Sequence, residues 1–235
     1  MLKNFFPNKI LSLTNKTINS LVILLVVVVI VGLIYSLLLS PPDYIQGDSV
    51  RIMYVHVPSS FIALGSFGFI GIASICNLIF KIKFMPLLAK SLAPIGCTFS
   101  LISIVTGSFW GKPTWGTWWV WDARLTSMLI LLIFYIAYIY TWKFINNFER
   151  ANKISSIIGI IGLINIPIIK YSVDWWNTLH QPSSIKIDGT SSIHASMLLP
   201  LMLMLLVLLL YCALILLMKY KTEIIRIKKK NIKRI

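Results

Sequence analysis

Long apolar runs separated by short polar breaks set the pattern of this chain. Six such runs stand out, at about 18–40, 57–80, 91–110, 125–142, 154–169 and 194–218. The first contains LVILLVVVVIVGLIYSLLL, and the others are interrupted mainly by small residues, Ser, Thr, single prolines and an occasional Asn. A helix of about 20 apolar residues spans the hydrocarbon core of a bilayer, so each run predicts a transmembrane helix. The fifth is short and holds Asn165 and Pro167, so it is expected to thin the bilayer or to be shielded by its neighbours. The first is too long for a signal-peptide core and has no small-residue cleavage site, so it is read as retained. The expectation is an all-α polytopic bundle of six transmembrane helices forming one membrane domain over 1–235, with no soluble domain and no tandem repeat.

Composition agrees. The 235 residues are 57% hydrophobic and 12% charged, with a mean hydropathy of +0.84, whereas soluble domains carry about 25% charged residues. Disorder needs the opposite balance. The net charge of +15 would suggest nucleic acid in a soluble chain, but here its distribution is topological. Seventeen Lys and Arg fall at the N-terminus, in the second and fourth breaks and in the tail from Lys219, against five (Arg51, Lys112, Arg124, Lys170, Lys186) in the other breaks. Basic residues stay on the cytoplasmic side, so both termini are expected inside, on the cytoplasmic or matrix side. The basic tail then faces anionic lipid rather than nucleic acid. Cys76, Cys97 and Cys212 lie inside apolar runs without zinc, disulfide-framework or C-x-x-C-H spacing, so covalent heme attachment to this chain is not expected.

The chemistry collects on the outer side. His56, His180 and His194 all sit at outer ends of spans or in outer loops, as do seven of the eight tryptophans. The stretch 110–127 reads WGKPTWGTWWVWDARLTS. An aromatic belt spreads its indoles over several spans, whereas here Trp110, Trp115, Trp118, Trp119 and Trp121 share one segment. Gly111, Pro113 and Gly116 are expected to break the helix and shape an outer loop over 110–124. Such a surface suits a large flat apolar ligand: a porphyrin, but equally a quinone, lipid or glycan.

The histidines narrow that choice, because heme iron is commonly held by imidazole. His56 in YVHVPSS precedes the second span, and His180 in WWNTLHQPSS precedes the sixth. Two imidazoles on opposite faces of a disc, with Trp115, Trp118, Trp119 and Trp121 stacking around it, make a coherent site. His194 is expected to do no more than hold the start of the sixth span. Asp122 and Arg124 either pair locally or serve the site, Arg124 by binding a propionate through its guanidinium and Asp122 by orienting a donor or ligand. Trp175 and Trp176, in the outer loop 170–193, offer a further wall.

At these residues the chain resembles a known family. WGTWWVWDARLTS is similar to the tryptophan-rich WWD signature of the heme-handling membrane proteins of cytochrome c biogenesis. With PPDYIQGDSVRIMYVHVPSS and PIIKYSVDWWNTLHQ, nearly the whole chain resembles the six-span heme exporter C members of that family. The resemblance implies heme b as transient cargo on the Trp-rich loop at the outer face, with axial ligands at the positions of His56 and His180. It implies delivery to a membrane-anchored heme chaperone, beside the ATPase and membrane subunits of an ABC transporter and a small single-span accessory subunit. It places the protein in a bacterial or mitochondrial inner membrane, with the site facing the periplasm or intermembrane space. No catalytic constellation is visible, so a heme-transfer component rather than an enzyme is expected. A heme lyase of the larger related proteins would need more spans, an outer domain and further histidines. A respiratory heme-b carrier would need histidine pairs within the spans. A self-sufficient heme transporter would need polar groups lining a path, whereas Asn77 and Asn165 are better read as interhelical bonds.

Overall fold

The computed structural model describes residues 7–82, 84–181 and 191–232. The described residues form an all-α bundle of α1 (Pro7–Leu33), α2 (Met53–Phe80), α3 (Met85–Trp115), α4 (Ala123–Phe144), α5 (Phe148–Trp175) and α6 (Ala195–Ile232). All six are long and apolar enough to cross a membrane. The Lys186 charge and part of the expected outer loop 170–193 lie outside the described residues.

Several helices outrun the apolar runs that announced them. α5 covers 28 residues rather than the 16 or so of its apolar stretch, because hydropathy marks only the part in hydrocarbon. Asn147 caps its start by accepting from the Arg150 N–H at 2.9 Å. Asn165 does not interrupt it, because its Nδ2 donates to the Ser127 carbonyl of α4 at 2.8 Å. α3 runs through Gly111 and Pro113 to Trp115, so the expected outer loop shortens to the residues between Trp115 and Ala123. The stop is Gly116, at φ +77°, where the missing Cβ permits the left-handed conformation. α1 ends differently: it loosens into a π-helical turn over Ile34–Leu39. Ser40 follows, bonded through its hydroxyl to Tyr54 and through its carbonyl to Arg51 Nη2 at 3.0 Å. A 3-10 turn over Asp48–Ile52 then leads into α2.

α2 is the central helix, packed against α3, α5 and α6, while α4 packs on α5 and α1 lies mainly along α6. The main core joins Phe67, Ile70, Phe99, Leu131 and Tyr135 from α2, α3 and α4. Lipid is as apolar as Leu, so such a bundle is held by close packing and a few interhelical hydrogen bonds, each worth about 0.6 kcal/mol in measured cases. Tyr135 donates to the Ala63 carbonyl at 2.6 Å, and Asn77 Nδ2 donates to Asn152 Oδ1 at 3.0 Å. Asn77 and Asn165 are thus interhelical bonds, as their sequence setting suggested. Of the glycines on α2, only Gly71 marks a tight approach: a Cβ there would lie 2.9 Å from Leu163 of α5, while one at Gly65 would meet open space. This packing brings the N-terminal ends of α2, α4 and α6 beside the C-terminal ends of α3 and α5, where all three histidines lie.

Candidate functional site

Two cavities open at that end and share a wall. The inner one, about 310 Å³, is lined by His56, His180, Trp115, Trp119 and Arg124, among others. The outer one, about 750 Å³, extends from the same histidines and Arg124 toward Tyr44 and His194. Sites for small ligands and cofactors run to about 300–1,000 Å³. His56 and His180 therefore border one volume although they are far apart in sequence.

Their hydrogen bonds prepare both imidazoles in the same way. His56 Nδ1 lies 3.0 Å from the Ser103 carbonyl of α3, and His180 Nδ1 lies 2.9 Å from the Gln181 carbonyl. A carbonyl only accepts, so each Nδ1 carries the proton and each Nε2 keeps its lone pair. That is the second-neighbour arrangement by which proteins orient metal-binding imidazoles. His180 is also kept neutral: burial, aided by the positive Arg124, lowers its pKa from 6.5 to about 4. The ring of His56 is set edge-on to Trp110, with centroids 5.7 Å apart, and its space depends on Gly107, where a Cβ would lie 3.0 Å from His56 Cε1. His194 is built the opposite way. Its Nδ1 accepts from the Ser196 N–H at 3.3 Å, so the lone pair is spent on capping α6, as a helix-holding role requires.

Asp122 organises the loop without lining either cavity. One carboxylate oxygen caps α4 by accepting from the Leu125 N–H at 2.8 Å, and the other accepts from the Thr178 hydroxyl. Thr178 Oγ1 in turn accepts from the His180 N–H at 3.0 Å. The chain from Asp122 through Thr178 to His180 pins the post-α5 segment to the Trp-rich loop. Arg124 lines both cavities, and no carboxylate among the described residues forms an ion pair with it.

The four tryptophans expected to stack on the ligand divide into two pairs. Trp115 and Trp119 line the inner cavity, Trp115 with its centroid 6.1 Å from that of His180. The Trp119 Nε1 is buried and has no hydrogen-bond partner among the described residues. Trp118 and Trp121 line neither cavity and are 51% and 75% exposed, carried outward by the irregular turn that follows Gly116. Trp175 and Trp176 also point outward, 56% and 52% exposed; Leu179 and His180 supply that wall instead. Sequence reasoning did not single out Gln46, whose Oε1 accepts from Trp110 Nε1 at 2.7 Å, nor Gly107 or Thr178. Trp110 stood in the visible tryptophan run, but nothing local marked the other three.

The six helices able to cross a membrane thus define a polytopic helical membrane protein that gathers two lone-pair imidazoles, inward indoles and a guanidinium on one cavity at one end. Comparison with known proteins gives the family. The sequence profile of heme exporter protein C matches residues 2–234. Heme exporter protein C of Escherichia coli K12 is 42% identical over 206 residues, 88% of this chain and 83% of its own length. That of Bradyrhizobium diazoefficiens is 42% identical over 198 residues, 84% of this chain and 75% of its own length. A putative cytochrome c biosynthesis ccmC-like mitochondrial protein of Marchantia polymorpha is 50% identical over 168 residues, 72% of this chain and 71% of its own length. The chain belongs to the heme exporter protein C family.

Proposed function

We propose that this protein captures heme b at the outer face of the membrane, between His56 and His180, and delivers it to a membrane-anchored heme chaperone during cytochrome c biogenesis. One observation carries the reading: two imidazoles from separate elements border the same indole-lined cavity, and each donates Nδ1–H to a carbonyl and so keeps Nε2 for iron. Heme here is cargo rather than a resident cofactor. The two histidines hold its iron, Trp115 and Trp119 pack on the ring, and Arg124 with the Trp119 N–H receives the propionates. Asp122 acts through Thr178 as a positioning residue. Trp118 and Trp121 face outward, where partner proteins or lipid meet the protein.

The excess of Lys and Arg at the opposite end supports an orientation with both termini inside and the site toward the periplasm or intermembrane space. The protein then works in an inner membrane beside the ATPase and membrane subunits of an ABC transporter and a single-span accessory subunit. It transfers heme and makes no covalent bond itself, since the site holds ligands and ring-packing groups rather than a nucleophile with its base.

A transfer assay tests this. Heme-loaded full-length protein in vesicles is mixed with apo-chaperone, and heme is followed on both. Loss of Soret absorbance from this chain with matching gain by the chaperone is expected. Attachment of heme to an apocytochrome thiol by this chain alone would replace the reading with a lyase. Movement of heme across sealed vesicles by this chain alone would replace it with a transporter.

A further inference from the structure

The end of the bundle opposite the histidines holds a second concavity of about 220 Å³ where α3, α4 and α6 meet. Lys90, Lys143 and Lys219, one from each helix, border it together with Trp142 and Glu223. Lysines that merely mark the inner side of a membrane extend separately into water. Here they converge. Lys90 Nζ is fixed at 2.7 Å from Glu223 Oε2, the two side chains only 23% and 14% exposed, and lies 5.4 Å from the Trp142 ring centroid. Glu223 also receives Arg226 at 2.8 Å. One carboxylate thus anchors the site, while Lys143 and Lys219 stand on its rim without an ion pair among the described residues.

Three ammonium groups against one carboxylate leave the concavity positive. An aromatic surface flanks it: Lys143 Nζ lies 5.6 and 5.9 Å from the ring centroids of Tyr140 and Phe144, whose side chains are 47% and 70% exposed. An occupant with an anionic head and an apolar tail satisfies both halves, whereas a free anion uses only the first and an acidic peptide has no use for the second. Basic pockets between transmembrane helices on the cytoplasmic or matrix side bind the head groups of anionic lipids. We infer that the Lys90–Lys143–Lys219 concavity is a binding site for the phosphodiester head group of an anionic phospholipid of the inner leaflet, tying α6 to α3 and α4.

The test is thermal unfolding of the detergent-solubilised full chain, titrated with phosphatidylglycerol, phosphatidylcholine, inorganic phosphate or a polyglutamate peptide. Phosphatidylglycerol is expected to raise the melting temperature saturably, and the other three are not. Replacing the two exposed rim residues (Lys143→Gln with Lys219→Gln) should weaken the apparent lipid affinity about tenfold or more. The control (Lys153→Gln with Lys229→Gln) removes the same charge from exposed positions outside the concavity and should change it by less than about twofold. If the rim pair lowers the lipid-free melting temperature, Lys219→Gln alone, with a partial loss, replaces it. Equal losses in rim and control variants would overturn the proposal. So would stabilisation by phosphatidylcholine, phosphate or the peptide to the same extent.

Discussion

Thr178→Val isolates the link between the Trp-rich loop and the His180 ligand. Asp122 is a poorer target because it also caps α4, so its removal would loosen a whole helix. Among the described residues the Thr178 side chain makes two hydrogen bonds: its hydroxyl donates to Asp122 Oδ2 and its oxygen accepts from the His180 N–H at 3.0 Å. Valine keeps the shape and removes both. A hydrogen bond to a charged acceptor contributes about 1.5–3 kcal/mol and a neutral one about 0.5–1.5 kcal/mol. Thr178 is only half-buried, so the low ends apply and the sum is about 2 kcal/mol. That caps the loss in heme affinity at about 30-fold, the fraction of molecules with His180 in place falling accordingly. The assay is a heme titration read by absorption, in which a high-spin component should grow as His180 leaves the iron. A double-mutant cycle decides the cause: in a His180→Ala background Thr178→Val should cost nothing further. An equal cost in both backgrounds would refute the chain of positioning.

Gly107→Ala puts a Cβ 3.0 Å from His56 Cε1 and should reduce low-spin heme several-fold in a spectral titration, whereas Gly65→Ala, with open space around it, should not. Gln46→Leu removes the acceptor of Trp110 Nε1 at a cost of about 1 kcal/mol, seen as about fivefold weaker heme binding. Arg124→Gln should weaken binding of heme but not of its dimethyl ester, measured by parallel titrations, if the guanidinium receives a propionate. The His180 pKa is lowered to about 4 in the folded protein against 6.5 when unfolded. Between those values the unfolded chain binds the extra proton, so acid opposes the folded, neutral imidazole as pH falls through that window. Heme capture by His180 should accordingly be undiminished at pH 5.5 and weaken as the pH of loading falls toward 4, as titrations at a series of pH values would show.

How far the sequence reached depends on which physical signal each feature leaves. Six apolar runs predicted six helices because the hydrocarbon core imposes a length on each span. The same signal is blind outside the core, which is why α5 and α3 extend past their apolar stretches and why Gly111 and Pro113 proved helical. Residue type pointed to His56 and His180, since imidazoles at membrane edges are few. It could not separate Trp115 and Trp119 from Trp118 and Trp121, because facing depends on the turn that Gly116 permits. Gly107 and Thr178 were illegible for a different reason: each acts by what it leaves room for or hands on, and a single sequence carries no mark of that. The place of His194 just before α6 was legible, but its Nδ1 contact with the Ser196 N–H was not, because that depends on the turn into the helix.

The most direct test of the central claim is the absorption spectrum of the heme-loaded protein, wild type against His56→Ala, His180→Ala and His194→Ala. Wild type and His194→Ala should show a low-spin bis-imidazole spectrum, and the other two variants should turn high-spin or lose the signal. A wild type that takes up no heme, or a low-spin spectrum that survives both His56→Ala and His180→Ala, would contradict it.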